Sequence, residues 1–263
     1  MTALIADDGW RATARAEGLV VTAGADLVYL LPDVSDVDAR AVAAVFEQPS
    51  AFEPDALPAP ARALLPTLRG LGALRPAALP TPTRPRELAV AVQLVGTDPG
   101  GLLDTLAGEL RVVDAAQADL RLVVRTTGSL RDLMDVAARL ATEDAVHLLL
   151  DLAHHHTVVI GPLVVPGAGA CLGCLAVRAA NRWGDPPAPE RPGAAVEPRW
   201  PAALAGHSVR RIGAGSLALL QRSVAHHLDE LTATAEDVLP SADCPQCATA
   251  TTGRLRLPWE DPT

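Results

Sequence analysis

Two C-x-x-C pairs constrain this chain more than any other feature. The first, "CLGC", holds Cys171 and Cys174; the second, "CPQC", holds Cys244 and Cys247, and the chain has no further cysteine. Two intervening residues let both thiolates of a pair face one ion, and two such pairs close the four positions of a tetrahedral site. That is the pattern of a structural Cys₄ zinc centre. Small and turn-forming neighbours, "PGAGAC" and "DCPQC", suit the tight backbone that a knuckle requires. A thioredoxin-like redox pair would need one C-x-x-C and gives no reason for a second. The predicted metal therefore ties a segment near residue 171 to the C-terminal segment, with no coordination position left for chemistry.

The first pair lies within "VVIGPLVVPGAGACLGCLAV", which has the length of a bilayer span. Gly161-Pro162 and Pro166-Gly167 punctuate it, so it reads as strand, turn, strand, turn and then the knuckle. No apolar signal segment opens the chain, which predicts a reducing, cytoplasmic location where structural disulfides are rare. A net charge of −9 disfavours general nucleic-acid binding. The chain contains no lysine, which excludes a catalytic or ATP-gripping lysine.

Before residue 77, "LVVTAGADLVYLL" reads as a β-hairpin turning near Gly24 and Asp26. "SDVDARAVAAVFEQP" follows as a helix capped by Ser35 or Asp36 and stopped by Pro49. "APARALLPTLRGLGALRP" reads as a further helix through Leu57, Ala61, Leu64, Leu65, Leu68 and Leu71. Together these predict a winged-helix-like module over residues 1–76. The Pro-rich segment 77–87 reads as a linker. Residues 88–263 then alternate strands and helices, the mark of an α/β domain with a mainly parallel sheet. "SLRDLMDVAARLATED" is a helix with a capping-box start at Ser129 and Asp132. "RWGDPPAPERPGAAVEPRWP" reads as a loop, and "SLALLQRSVAHHLDEL" as a final amphipathic helix carrying His226 and His227. His154, His155 and His156 end a strand and enter a turn, where alternating side chains do not converge on one ion.

An α/β domain with a late "GPLVVPGAGACLGCL" and a terminal "CPQC" resembles the ThiF/MoeB fold. Followed by Asn-Arg-Trp-Gly-Asp, it is similar to the ThiF-like proteins of azole-forming peptide natural-product clusters. The resemblance covers residues 88–250 by motif and 17–76 by architecture. It implies an accessory subunit that binds the leader of a ribosomally made precursor peptide. A separate YcaO-type cyclodehydratase would then form azolines on the peptide's core. In that family the leader adds as a strand beside the module's sheet and against its last helix. Carried onto this sequence, the implied peptide-binding residues are Leu27, Val28, Tyr29 and Leu30 of "DLVYLL", with Arg62, Leu65, Leu68 and Arg69 of "ARALLPTLRG". ThiF-like folds also commonly form homodimers.

The resemblance raises an alternative, ATP-dependent adenylation of a peptide carboxylate. An active member needs a glycine-rich turn after the first strand of the domain. Here that place reads "VGTDPGG", which does not match G-x-G-x-x-G. Asp98 puts negative charge where a polyphosphate would sit, and Pro99 removes an N–H that could cradle it. With all four cysteines assigned to metal, no thioester nucleophile remains. The expectation is a non-catalytic, zinc-bearing α/β protein that contacts peptide and enzyme, without nucleic acid or membrane. A zinc-bearing transcription factor is the third reading, disfavoured by the acidic balance.

Overall fold

The computed structural model describes residues 3–47, 50–77, 85–247 and 257–259. The chain divides into two compact units, Met1–Thr81 and Pro82–Thr263. Pro49 and most of the Pro-rich linker at 77–87 lie outside the described residues.

In the first unit, β1 (Leu4–Ala6) pairs antiparallel with β5 (Leu74–Pro76). β2 (Arg11–Arg15), β3 (Gly18–Thr22) and β4 (Val28–Pro32) form an antiparallel sheet in that order. The expected β3–β4 hairpin is present, and β2 is a strand the sequence reading did not include. Helix α1 (Asp36–Glu47) packs on β2 and β3. Ser35 Oγ accepts the Asp38 N–H at 3.2 Å, satisfying one free donor of its first turn. Leu19, Val21, Val42, Phe46, Leu65 and Leu68 fill the core. The single helix expected through Leu57–Leu71 is instead two, α2 (Ala59–Arg62) and α3 (Leu65–Gly70). Pro66 stands in the first turn of α3, where its missing N–H costs nothing but where no preceding helix can continue through it.

The second unit is built on a seven-stranded sheet. Its strands are β6 (Ala89–Val95), β7 (Arg111–Val112), β8 (Leu120–Arg125), β9 (His147–Asp151), β10 (Thr157–Val164), β11 (Arg222–His227) and β12 (Thr232–Asp237). They lie in the order β12-β11-β10-β9-β8-β6-β7. β7, β6, β8 and β9 run parallel, whereas β9 to β12 alternate. Helices α4 (Leu102–Glu109), α7 (Gly193–Val196) and α8 (Arg199–Gly213) contribute to the core on one face. α5 (Leu130–Thr142) and α6 (Leu172–Trp183) cover the other. The strand residues sort accordingly: Leu148 and Leu150 of β9 join the first core and Leu149 the second. The second unit is thus a mixed α/β layer structure whose sheet is half parallel and half antiparallel, not mainly parallel as expected, because β9 and β10, and β11 and β12, are joined as hairpins without crossover helices.

The capping box at Ser129 and Asp132 is formed reciprocally. Ser129→Ala will lower stability by about 1 kcal/mol in a chemical denaturation curve, the ordinary loss of a helix cap. No helix among the described residues is long and apolar enough to cross a membrane.

Three local expectations are corrected. The final amphipathic helix is absent: residues 222–237 form the β11–β12 hairpin, and His226 and His227 lie on β11. Gly161-Pro162 is not a turn between two strands. It lies within β10, whose register against β9 shifts between Ile160 and Leu163. The Pro-rich stretch read as loop contains α7 and the start of α8.

Candidate functional site

The four cysteines converge. Cys171 caps the N-terminus of α6, Cys174 lies in its first turn, and Cys244 and Cys247 follow the β11–β12 hairpin. Their sulfurs all lie within 4.8 Å of one another. Individual Sγ–Sγ separations are 3.9 Å for 171–174, 3.5 Å for 171–244, 3.2 Å for 174–247 and 3.5 Å for 171–247. A tetrahedron with zinc–sulfur bonds of about 2.3 Å has edges of about 3.8 Å. Disulfides would hold sulfurs at about 2.05 Å, and all four cysteines are free. The donor set therefore fits zinc, which would be held on four sides and left with no open position.

The local backbone explains the convergence. A Cβ on Gly173 would lie 3.1 Å from Cys244 Sγ and would displace the end of the Gln246 side chain, so the absence of a side chain at 173 lets the second knuckle sit close against the first. Burial pushes the Cys171 thiol up to about 11. Burial also raises Cys247, helped by its bonds to Cys174 and Cys171. Cys174 is held below its usual value despite burial, because backbone groups at Cys171 and Ser241 favour its thiolate. Thiols crowded in this way surrender their protons to a cation, not to solvent. Among the described residues no other group of three or more His, Cys, Asp or Glu side chains gathers its ligand atoms so closely. His154, His155 and His156 occupy the turn between β9 and β10. His156 pairs with Asp229 at 2.6 Å, while His155 Nδ1 accepts the Gly193 N–H at 3.2 Å.

The second place of interest is the carboxyl end of the parallel strands. Strand order reverses between β6 and β8, the position where open α/β sheets take ligands. Here the two loops bond to each other. Thr126 N–H and Gly128 N–H donate to Val95 O at 3.0 and 3.2 Å. Thr97 N–H donates to Thr127 Oγ1 at 2.9 Å, and Thr126 Oγ1 donates to Thr97 O. A Cβ on Gly96 would lie 2.5 Å from Gly128 N, so the loops meet backbone to backbone. The α4 N-terminus already holds an anion: Asp98 accepts from Leu102 N–H at 2.8 Å and Leu103 N–H at 3.0 Å. Burial would raise its pKa, but four backbone donors from residues 100–103 hold it below the ordinary value. Asp185 does the same for α5, accepting from Leu130 and Arg131 at 2.8 and 3.1 Å. Beneath them Arg125 and Asp151 form a buried, multiply bonded ion pair at 2.8–3.0 Å. The sequence marked Asp98 only as a negative charge opposed to a polyphosphate; its capping of α4, the Asp185 cap and the Arg125–Asp151 pair were not foreseen.

The third is the outer edge of β4, on which no strand pairs among the described residues. Leu27, Val28, Tyr29 and Leu30 are exposed at 40, 59, 36 and 49 %. Ala23 N–H donates to Leu27 O at 2.9 Å, so alternation of the ladder turns the main-chain groups of Val28 and Leu30 outward. Arg62, Leu65 and Arg69 line one cavity of about 280 Å³ with Pro54, Pro66 and Pro76. Arg62 is tied to Asp55 at 2.6 Å. Leu65 and Leu68 are buried in the core, and Leu68 does not line that cavity.

No protein-family model and no curated protein sequence matches this chain. Solved structures do. A heterocyclase in complex with substrate and cofactor superposes with a TM-score of 0.51 at 14 % identity, over 94 % of this chain. The chain spans only 40 % of that heterocyclase's length. E. coli MccB gives a TM-score of 0.56 at 13 % identity, covering 93 % of this chain and 96 % of MccB. MccB with AMPCPP and MccA gives 0.54 at 12 %, covering 94 % and 100 %. At such identities the likeness is one of fold, and it extends over nearly the whole chain.

Proposed function

We propose that this protein is a non-catalytic accessory subunit of ribosomal-peptide modification. It binds the leader of a precursor peptide and presents the core to a separate YcaO-type cyclodehydratase for azoline and azole formation. The observation that carries this reading is the β4 edge. Val28 and Leu30 turn unpaired main-chain donors and acceptors outward from an exposed, apolar strand with no lysine or bulge to blunt it. An extended peptide satisfies such an edge by adding a strand, and Tyr29 and its apolar neighbours offer grip to alternate side chains. The winged-helix-like reading of residues 1–76 belongs to this proposal, as does a role for the Arg62–Arg69 cavity. Fold neighbours crystallised with substrate and with MccA are in keeping with it.

The non-catalytic part rests on the β6/β8 crevice. Its loops are bonded together, and its helix N-termini are occupied by Asp98 and Asp185. No lysine is available to hold phosphates. Adenylation is the second reading, favoured by the fold likeness to MccB with ATP, TM-score 0.52 at 11 % identity. Measurable ATP–pyrophosphate exchange by the purified chain would establish that reading in its place.

Fluorescence polarisation with a labelled leader peptide tests the main proposal on the full-length protein. Saturable binding is expected. Leu30→Pro removes only an outward-facing N–H from β4 and will weaken binding by about tenfold or more, whereas Leu30→Ala will weaken it less. Equal affinities for both variants and the parent, with all three folded, would remove β4 as the binding edge.

A further inference from the structure

The seven-stranded sheet ends in an open edge of its own. β12 pairs with β11 over six consecutive residues, and no strand pairs with its other side among the described residues. Every residue of β12 is exposed. One bond shows which main-chain groups face outward: Val238 N–H donates to Gln221 O at 2.7 Å. Alternation along the ladder then turns Thr232, Thr234 and Glu236 toward β11, and Ala233, Ala235 and Asp237 away from it. The strand has no proline, lysine or bulge to blunt this edge; two acids at one end are its only guard.

A strand that meets a second copy of itself about a two-fold axis meets its own sequence reversed. With Thr234 on the axis, Ala233 faces the partner's Ala235, and Ala235 faces the partner's Ala233. These residues carry outward N–H and C=O groups, so each pair exchanges two bonds. Thr234 stands beside the partner's Thr234, a favourable cross-strand pair. Glu236 falls opposite the partner's Thr232, whose hydroxyl can donate to it, and no acid faces an acid. An axis through Ala235 would instead make the two Glu236 side chains diagonal neighbours about 7–8 Å apart.

The same register sets a knob opposite a hollow. Leu231, at the tip of the β11–β12 hairpin, is 89 % exposed, and it falls level with the partner's Asp237. Beside Asp237 an open groove of about 680 Å³ runs between β12 and α6, with Leu175, Trp183 and Val238 in its wall. Trp183 is 69 % exposed. Charge is complementary as well. Within the groove Arg178 donates to the carbonyls of Leu239 and Pro240, Asp237 is bonded to Arg222, and Asp243 accepts from Asn181. Arg182 stacks on Trp183 at 4.8 Å and has no carboxylate partner among the described residues. Glu230, exposed beside Leu231, brings a carboxylate to that place from the other copy.

We infer that β12 is an interface between two copies of this chain, paired edge to edge about Thr234. Leu231 and Glu230 of each copy then seat at Trp183 and Arg182 of the other, so every contact occurs twice. The inference is independent of the leader reading, since β12 and β4 belong to different units.

Sedimentation velocity of the zinc-loaded full-length protein from about 1 µM to about 200 µM tests it, and a concentration-dependent dimer is expected. Ala235→Pro removes an outward N–H without touching the β11 ladder and will raise Kd at least about tenfold. Leu231→Asn will raise Kd about tenfold, and the hairpin turn survives because Asn accepts the positive φ of 54° at this position. Arg182→Glu and Glu230→Arg will each weaken the dimer about tenfold by opposing like charges twice, and together they will restore Kd to within about threefold of the parent. A protein that stays monomeric throughout overturns the inference. So does a dimer indifferent to Leu231→Asn, or a loss on charge reversal that the double change does not rescue. Circular dichroism checks the fold of each variant, and if Ala235→Pro fails to fold, the other three decide the outcome.

Discussion

Cys174→Ser will purify without stoichiometric zinc and unfold well below the parent protein. Cys174 is wholly buried, bonded to the Ser241 amide at 3.3 Å, and sits among the other three sulfurs. A hydroxyl cannot replace its thiolate, and three ligands hold zinc far less tightly than four. Structural zinc binding in small domains is worth on the order of 10 kcal/mol. Losing even about 4 kcal/mol of that would lower Tm by roughly 10 °C in a unit of this size. Metal content by thiol-release titration and Tm by calorimetry check both halves. Protein that carries no zinc as isolated and melts identically with serine at 174 would refute a structural metal.

The second large effect concerns Arg125 and Asp151. Both are buried, bonded through Arg125 Nε and Nη2, and Asp151 also accepts the Ala153 N–H at 3.0 Å. Asp151→Ala strands a guanidinium in the sheet's interior and will cost about 3–5 kcal/mol. Replacing both with apolar residues of similar volume will cost less than the single change, since no unpaired charge remains. The pair also sets a pH limit. Burial alone would raise Asp151, yet bonding to His154 and the charge of Arg125 hold it at about 2, below the ordinary 3.8. Its contribution is therefore present above about pH 5 and disappears as pH falls toward 2. For such a shift it amounts to about 2 kcal/mol. Denaturant midpoints measured from pH 6 to pH 2 will show that loss, and Asp151→Ala will flatten it.

Much of this fold was legible in the sequence because its segments obey one period at a time. Leu133, Val136, Ala137 and Leu140 of α5 bury one helical stripe, and the cap before them is explicit. The cysteine pairs were legible for a similar reason, since ligand spacing is set by bond geometry and not by the surrounding fold. The β11–β12 hairpin was hidden. Leu217, Leu220, Val224, Leu228 and Leu231 fall near helical spacing, while β12 is exposed along its whole length and so has no buried face to impose alternation. Its turn lacks the usual glycine signal; Leu231 itself takes the positive φ of 54°. Helix α8 was hidden by Pro201, Gly206 and Gly213. Pro201 is harmless so near a helix start. Gly213 is required, because a Cβ there would meet Arg86 O at 2.1 Å. The closed β6/β8 crevice and the pairing of Arg125 with Asp151 depend on residues brought together across the sheet, which no local pattern records.

The wide spacing of the cysteine pairs has a topological consequence. Cys171 and Cys244 are 73 residues apart in sequence and 3.5 Å apart in space. With a metal seated between them, the chain from α6 through α8 to the β11–β12 hairpin becomes a closed ring. A protease that cuts the exposed stretch after Trp183 opens that ring without releasing either piece. The nicked protein would keep its mass in solution and separate into two fragments only when the metal is withdrawn as well as the fold.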